Sequence, residues 1–504
     1  MAQAHTAPVE LGTESIGKLL KKFAVPGIIA MTASSLYNMV DSIFIGHIPG
    51  EGSLALSGLA VSFPLMNLST ALGTLVGVGA ATLLSVLLGQ KNYHTANKVL
   101  ANDISLNCIT GVAFAAICLI FMDPILRFFG ASDNTLGYAR EYMQVILIGN
   151  VITHLYFGLN ALIRSAGNPR LAMRLTLFTV ISNTILDPIF IFVFGLGIRG
   201  AAIATVLCQA MALSYSLRYF MQKDNVLHLP KKVFELDWRI AKDSLAIGMG
   251  PFLMNAASCI VTIFINQQLL KYGGDLAIGA YGIVNRINFM FVMIVLGLNQ
   301  GMQPIAGYNF GALKYSRVKK VFTITALWAT VVCLFWLIAS ELFPDLMVGL
   351  FTNDSELKGI ADKGIRIMNP IVLLVGWQMV STNFFQSLGM VRKSIFLSLS
   401  RQLLFLVPLI YVFPLFLGIK GVFLAFPCSD FLACITTLIL INNLFRKFGK
   451  LQDGDEPTIL GSSIKQEDHG RKQHDNQHRT SVRKRREAGR PEHRFETWDQ
   501  GLRQ

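Results

Sequence analysis

Residues 53–82 read SLALSGLAVSFPLMNLSTALGTLVGVGAAT, without one Asp, Glu, Lys or Arg. As a helix rising ~1.5 Å per residue, this run is long enough to cross the ~30 Å hydrocarbon core of a bilayer. It is apolar all round, so its natural solvent is lipid. Comparable segments recur at 17–44, 97–122, 137–163, 171–194, 199–221, 240–269, 276–303, 318–342, 364–388, 394–416 and 420–444, separated by polar loops. The chain therefore reads as an all-α integral membrane protein of about twelve transmembrane helices. Its 504 residues are 53% hydrophobic and 15% charged, well below the roughly 25% charge of a soluble domain. Mean hydropathy is +0.51.

The net charge of +14 does not mark a nucleic-acid partner, because Lys and Arg alternate between loops instead of lining one face. One set of loops carries Lys18, Lys21, Lys22, Lys91, Lys98, Arg164, Arg170, Arg174, the run from Arg218 to Lys242, Lys314 to Lys320, Arg392, Lys393 and Arg401. The opposite set carries only Arg127, Arg140, Arg199, Lys271, Lys358, Lys363, Arg366 and Lys420. The positive-inside rule puts the first set, with both termini, in the cytoplasm. No cleavable signal peptide is expected: Lys18, Lys21 and Lys22 lead into an apolar run with no small-residue cleavage site after it. The seven cysteines all lie inside apolar segments at no metal or redox spacing, and read as small core hydrophobes.

The longest internal loop, 222–239, divides the chain into two halves that resemble each other. Gly89-x-x-x-Tyr93 with Lys98-Val99 returns as Gly311-x-x-x-Tyr315 with Lys320-Val321. Gly195-Leu-Gly-Ile-Arg-Gly200 returns as Phe416-Leu-Gly-Ile-Lys-Gly421, and Val25-Pro26 as Gly250-Pro251. Six spans per half is an even number, so the repeat is parallel and a binding cavity is expected between the halves. The organisation expected is an N-terminal cytoplasmic segment (1–16), an N-lobe (17–221), an inter-lobe loop (222–239), a C-lobe (240–445) and a disordered basic cytoplasmic tail (446–504).

A carboxylate within a membrane helix is costly and marks function by default. Asp41 lies in the first span and Asp187 in the fifth. Asn183 is spaced i, i+4 from Asp187 and so shares its helix face, and Pro188 removes a backbone donor beside it. Counting from the outer ends, Thr205 in the sixth span comes to a similar depth. Two carboxylates, an amide and a hydroxyl suit a hard cation or a proton, although the same groups could instead hydrogen-bond neighbouring helices. Asp41, Asn183, Asp187 and Thr205 align across the repeat with Asn266, Leu404, Pro408 and Phe426. The scaffold repeats and the acids do not, which is the pattern of function placed on one half. Arg286, midway along the eighth span, is the other intramembrane charge. His154 and the methionines Met290, Met293 and Met302 read as packing residues. No Walker A, zinc or hydrolase motif occurs, so neither an enzyme nor an ATP-driven pump is expected.

The stretches Pro26 through Asp41 to Gly46, Gly89-Gln-Lys-Asn-Tyr93, Ile163-Arg-Ser-Ala-Gly-Asn-Pro169, and Asn183 through Asp187 and Gly200 to Thr205 resemble the multidrug and toxic compound extrusion (MATE) family. The likeness covers nearly all of residues 15–445. It implies two six-helix lobes arranged as a V, and export of cationic or amphipathic compounds, antibiotics among them, in exchange for Na⁺ or H⁺. It also implies a cation site at Asp41, Asn183, Asp187 and Thr205, with Asp41 and Asp187 as the metal ligands under sodium coupling. It places Tyr37 and Asn160 in the substrate cavity as well; Asn38 and Arg286 are expected there from their positions in the spans, although Arg286 could instead pair internally with polar groups. No cofactor is expected beyond the coupling ion. A monomer in the plasma membrane is the expected assembly, with membrane lipid and small-molecule drugs as its partners. The sequence departs from family members that carry a Glu in the seventh span and an Asp in the tenth. A flippase for a lipid-linked saccharide is the alternative on a related scaffold; it calls for a strongly cationic cavity.

Overall fold

A helix satisfies its backbone N–H and C=O groups internally, which is what hydrocarbon requires of a spanning segment. The computed structural model describes residues 7–222, 225–229, 234–351 and 355–455, and among these the regular elements are all helices. Ten are long and apolar enough to span: span 1 (Ile16–Gly46), span 2 (Leu54–Gly89), span 3 (Tyr93–Ile120), span 5 (Pro169–Val193), span 6 (Gly197–Met221), span 7 (Trp238–Gly274), span 8 (Leu276–Gly311), span 9 (Tyr315–Leu342), span 11 (Val391–Leu417) and span 12 (Ile419–Phe448). Two bent pairs complete twelve. Span 4 is Asp133–Ile148 plus Asn150–Ser165, bent by 55°, and span 10 is Ser355–Met368 plus Val372–Ser387, bent by 61°.

The irregularities repeat with the halves. Span 4 breaks at Gly149, where a Cβ would lie 2.5 Å from the Val206 methyls, and span 10 breaks at the matching Asn369–Ile371. Spans 5 and 11 each hold a π-helical stretch beside a proline: Ile189–Val193 follows Pro188, and Ser400–Leu406 precedes Pro408. Proline offers no N–H to the i−4 carbonyl, so the ladder rearranges to a wider turn; Phe194 N–H accordingly donates to Ile189 O five residues back, at 2.9 Å. The turns from span 5 to 6 and from span 11 to 12 rest on Gly197 and Gly418, at φ +53° and +56°, a region that favours glycine.

The two lobes meet close to the side that carries the helix Ala7–Thr13 and residues 451–455. A Cβ on Gly79 would sit 1.9 Å from Ser244 O, and one on Gly248 1.8 Å from Leu75 O, so spans 2 and 7 touch backbone to backbone. Gly89 packs on Tyr308 O and Gly311 on Val86 O, each at 2.0 Å to the added Cβ. These are the repeated glycines of the sequence motif, each seated against the other's lobe. Spans 1 and 8 cross the same way, with Gly297 against Gly27 and Ile28, and Gly301 against Ala24. Polar bonds close the layer: Gln303 Nε2 donates to Thr82 Oγ1 at 2.7 Å, and Arg164 Nη1 to Gln300 Oε1 at 2.9 Å. The N-terminal helix Ala7–Thr13 is clasped by the C-lobe. Asn309 Nδ2 donates to Leu11 O at 2.9 Å, Lys314 Nζ to Gly12 O at 2.8 Å, and Arg317 Nη2 to Glu14 O at 2.6 Å. These crossings all fall in the start of spans 1 and 7 and the end of spans 2 and 8. In the remaining halves of those four spans Gly46, Gly58, Gly273 and Gly279 meet only their own lobe, and Leu36, Phe63, Ile260 and Phe289 are exposed, so we read the lobes as diverging into a cleft open on the far side.

Three sequence-derived placements change. Arg401 is not a loop residue: it lies in the π-helical stretch of span 11 and donates from Nε to Asp430 Oδ1 of span 12 at 2.7 Å. Leu404 is 57% exposed whereas its aligned partner Asn183 is 2% exposed, because the wider π turn alters the direction of side chains in span 11. The stretch from residue 446 begins ordered. Span 12 runs to Phe448, and residues 451–455 fold against the start of span 9. There Asp453 accepts from Ser316 N at 3.0 Å and from the Ser316 hydroxyl, and Tyr315 OH donates to Asp455 O at 2.9 Å. Partial burial opposes charge on Asp453, but these bonds and the nearby Lys314 hold its carboxyl below the usual carboxylate range. The rest of the predicted tail, 456–504, lies outside the described residues.

Two outcomes follow from this layer. Gly311→Val forces a branched side chain into a backbone contact, and such overpacking costs ~1–3 kcal/mol. With the native cysteines replaced, a Ser85→Cys reporter, buried against Gly307 in the wild-type protein, becomes accessible to maleimide in that variant. Removing 457–504 leaves thermal stability unchanged, whereas removal from residue 452 onward also strips the Asp453 cap and lowers Tm.

Candidate functional site

Within the N-lobe, spans 1, 5 and 6 bring together the residues singled out on sequence. Tyr37 and Asp41 lie one turn apart on span 1, Asn183 and Asp187 one turn apart on span 5, and Thr205 faces them from span 6. Asn183 Nδ2 donates to Asp187 Oδ1 at 3.0 Å and to Thr205 Oγ1 at 3.4 Å. Tyr37 OH shares a 3.0 Å hydrogen bond with Thr205 Oγ1. Asp41 comes near enough to Asp187 for one carboxyl to hydrogen-bond the other. All three polar anchors are buried: Asp187 is 0% exposed, Asn183 2% and Asp41 6%.

Three oxygens of this cluster, Asp41 Oδ1, Asn183 Oδ1 and Asp187 Oδ2, are buried and accept no hydrogen bond from the protein. A buried acceptor left unmatched is costly, and two adjacent carboxylates repel each other. A proton shared between the acids, or a hard cation among the oxygens, relieves both. The donor set is oxygen only, as Na⁺ prefers. Asp41 lies about five residues, or ~7 Å, from the far end of span 1, so the site is reached from the side on which the cleft opens.

The other sequence-derived candidates fall elsewhere. Asn160 is buried between the second half of span 4 and span 5, where its Nδ2 donates to Ala172 O at 3.0 Å; it is not among the residues gathered around Asp41. The Asn38 side chain lies outside the described residues. Arg286 is exposed on span 8. His154 is fully buried, with Nε2 3.3 Å from Ser69 Oγ.

Several residues near these sites were not anticipated. Tyr142, on the first half of span 4 and 1% exposed, lies close to both Asp41 and Asp187; an aromatic in an apolar run carries no signal of its neighbours. Asp103 and Asn107 of span 3 pack on Gly158, where a Cβ would lie 2.5 Å from each side chain. Asp430 pairs with Arg401 in the C-lobe. Both acids are visible as charges inside apolar segments, the same signal that marked Asp41. The C-lobe counterpart of this cluster holds no carboxylate: Asn266 aligns with Asp41, and the surroundings are apolar. Val261, Ile265, Leu406, Ile410 and Val422 form its core, and Phe426 stacks on Tyr281 with ring centroids 5.6 Å apart.

Comparison with known proteins supplies the lineage. The MatE family model matches residues 26–189 and 246–412, one segment in each lobe. The chain is 28% identical over 424 residues to the multidrug export protein MepA of Staphylococcus aureus, covering 84% of this chain and 93% of that protein. With MepA of Staphylococcus saprophyticus it shares 26% over 427 residues, covering 85% and 94%. The solved structure of the MATE multidrug transporter DinF-BH is 34% identical and superposes with a TM-score of 0.80, over 88% of this chain and 98% of that one. The duplicated six-helix lobes, the cleft between them and both matched segments lead to one conclusion: this chain belongs to the MATE family of membrane transporters.

Proposed function

We propose that the protein exports amphipathic compounds, cationic ones included, across the plasma membrane in exchange for H⁺ or Na⁺. The observation that carries this reading is the set of three buried, unmatched oxygens around Asp41 and Asp187, on one lobe of the repeat; the aligned Asn266, Leu404, Pro408 and Phe426 of the other hold no carboxylate. The curated relatives are named as multidrug export proteins, which supports the cargo class. With both termini in the cytoplasm, as the loop charges favour, the cleft described above faces outward.

Export then follows alternating access. Cargo loads when the cleft opens to the cytoplasm and leaves when it opens outward. The coupling ion, a substrate of the cycle, enters from outside and reaches Asp41, Asn183, Asp187 and Thr205. By cancelling the repulsion between the two acids it draws span 1 against spans 5 and 6, to which the Tyr37–Thr205 bond already ties it. Span 1 also forms a wall of the cleft, so this movement changes the surface that cargo contacts and favours release.

Asp41→Asn keeps the volume and the hydrogen-bonding capacity but removes the charge and the exchangeable proton. In proteoliposomes under separately imposed Na⁺ and pH gradients, this variant loses gradient-driven export by at least about tenfold while inserting and folding normally. Export at the wild-type rate would remove the site from the mechanism. Asp187→Asn leaves one acid and ends the like-charge repulsion. Cation-triggered release of a bound fluorescent drug from this variant, in detergent, should be blunted while drug binding itself survives. Thr437→Val, at a buried hydroxyl of span 12 that donates within its own helix to Ala433 O, should leave release unchanged.

A further inference from the structure

The charge that faces the cargo is positive. The cleft walls are the far halves of spans 1, 2, 7 and 8, residues 31–46, 54–70, 251–274 and 276–296. With span 7 taken to its end at Gly274, these far halves hold three ionisable charges, Asp41, Lys271 and Arg286; Lys271 sits at the outer end of span 7, its Nζ 5.1 Å from the centroid of the Tyr272 ring. Asp41 is buried and turned into the N-lobe beside Asp187. Arg286 is exposed, and among the described residues no acid is paired with it in an ion pair.

Its direction follows from the helix it stands on. Gly297 of span 8 touches Gly27 and Ile28 of span 1. Arg286 precedes Gly297 by eleven positions, close to three turns at 3.6 residues each, so both lie on one face, with Met290 between them two turns before Gly297. The opposite face carries Ala277, Tyr281 and Val284, all buried in the C-lobe. Arg286 therefore points along the face that meets span 1 at the floor of the cleft. It stands ~16 Å above that floor, level with Tyr37, which is ten residues beyond Gly27 on span 1. A lipid-facing guanidinium at this depth would cost several kcal/mol; a wetted cleft removes that cost. Around it, Met290 is 58% exposed, a soft and adaptable surface for an apolar body.

We propose that Arg286 makes this cleft select amphipathic compounds carrying a carboxylate or sulfonate, zwitterions among them, over otherwise matched cations. The proposal rests on the export reading above and refines its cargo class. The guanidinium presents a planar fork of donors that matches a carboxylate two-pronged. In a narrow cleft with low-dielectric walls it is screened less than on an open surface. A purely cationic compound meets the same charge as repulsion.

Rhodamine B and its own ethyl ester test this, because they share one xanthene cation and differ only at the benzoic acid, free in the first and esterified in the second. Fluorescence polarisation with the purified full-length protein in detergent gives both affinities. The expected result is about tenfold tighter binding of rhodamine B by the wild-type protein. Arg286→Gln inverts that order, weakening rhodamine B about tenfold and strengthening its ethyl ester, and Arg286→Lys restores preference for the acid. Arg286 makes no ion pair among the described residues, so the Gln variant should fold. Equal affinities in the wild-type protein, or equal loss of both dyes in Arg286→Gln, would overturn the assignment. Export of both dyes from proteoliposomes separates the two ideas. If the ethyl ester is exported while rhodamine B is neither bound nor moved, the charge preference falls and export stands. If neither is exported although rhodamine B binds tightly through Arg286, export falls and the charge preference stands.

Discussion

Two lobes are held together where backbone touches backbone. In lipid, apolar side chains gain little by leaving their surroundings for one another, so helices associate through close packing and interhelical polar bonds. Gly79 on Ser244, Gly248 on Leu75, Gly89 on Tyr308 and Gly311 on Val86 supply the packing, and Gln303–Thr82 and Arg164–Gln300 the bonds. Because these contacts share one level of the protein, they act as a waist. The lobes diverge beyond it, and the divergence is the cleft. The contacts also come in repeat-related pairs, so each glycine of the duplicated motif closes on the helix that carries the other.

The duplication separates scaffold from chemistry. Bent spans 4 and 10, π-turns in spans 5 and 11, and left-handed glycines at 197 and 418 recur in both lobes, so they belong to the scaffold. The polar interiors differ. The C-lobe pairs Arg401 with Asp430 at 2.7 Å, a combination whose charges cancel. The N-lobe sets Asp41 beside Asp187 with no cation paired to either among the described residues and three oxygens unmatched. Only the second arrangement needs something from outside the protein to complete it.

Much of this was legible in the sequence. Twelve apolar segments foretold twelve spans, because lipid imposes length and apolarity on each one separately. The i, i+4 spacing of Asn183 with Asp187 foretold a shared helix face, and similar depths foretold that Asp41 and Thr205 meet it. What failed depended on information that a linear count lacks. Arg401 resembled a loop cation because a π-turn and a partner 29 residues later are invisible to a tally of loops. Leu404 was matched to Asn183 by counting residues, and the wider turn of Ser400–Leu406 broke the phase. Residues 451–455 looked like the polar tail that follows them, and nothing in their composition announces Ser316 as a partner. Tyr142 near the acids, and Asn160 spent on Ala172 O, depend on how a bent helix packs. No periodicity reports that.

Span 1 connects these features. Near its start Ala24, Gly27 and Ile28 rest on Gly297 and Gly301 at the waist; farther along, Tyr37 and Asp41 join the oxygen cluster of spans 5 and 6. Pro26 sits next to Gly27, so one main-chain bond is already missing where the helix crosses span 8, and the helix can bend there at less cost than elsewhere. A change of charge at Asp41 thus acts on an element that is both a cleft wall and part of the seal beneath it. Across the cleft, span 8 carries Arg286 on the face that meets span 1 at Gly27. On the export reading proposed above, cargo and coupling ion would bias the position of the same helix from opposite sides, and exchange of one for the other would need no direct contact between them.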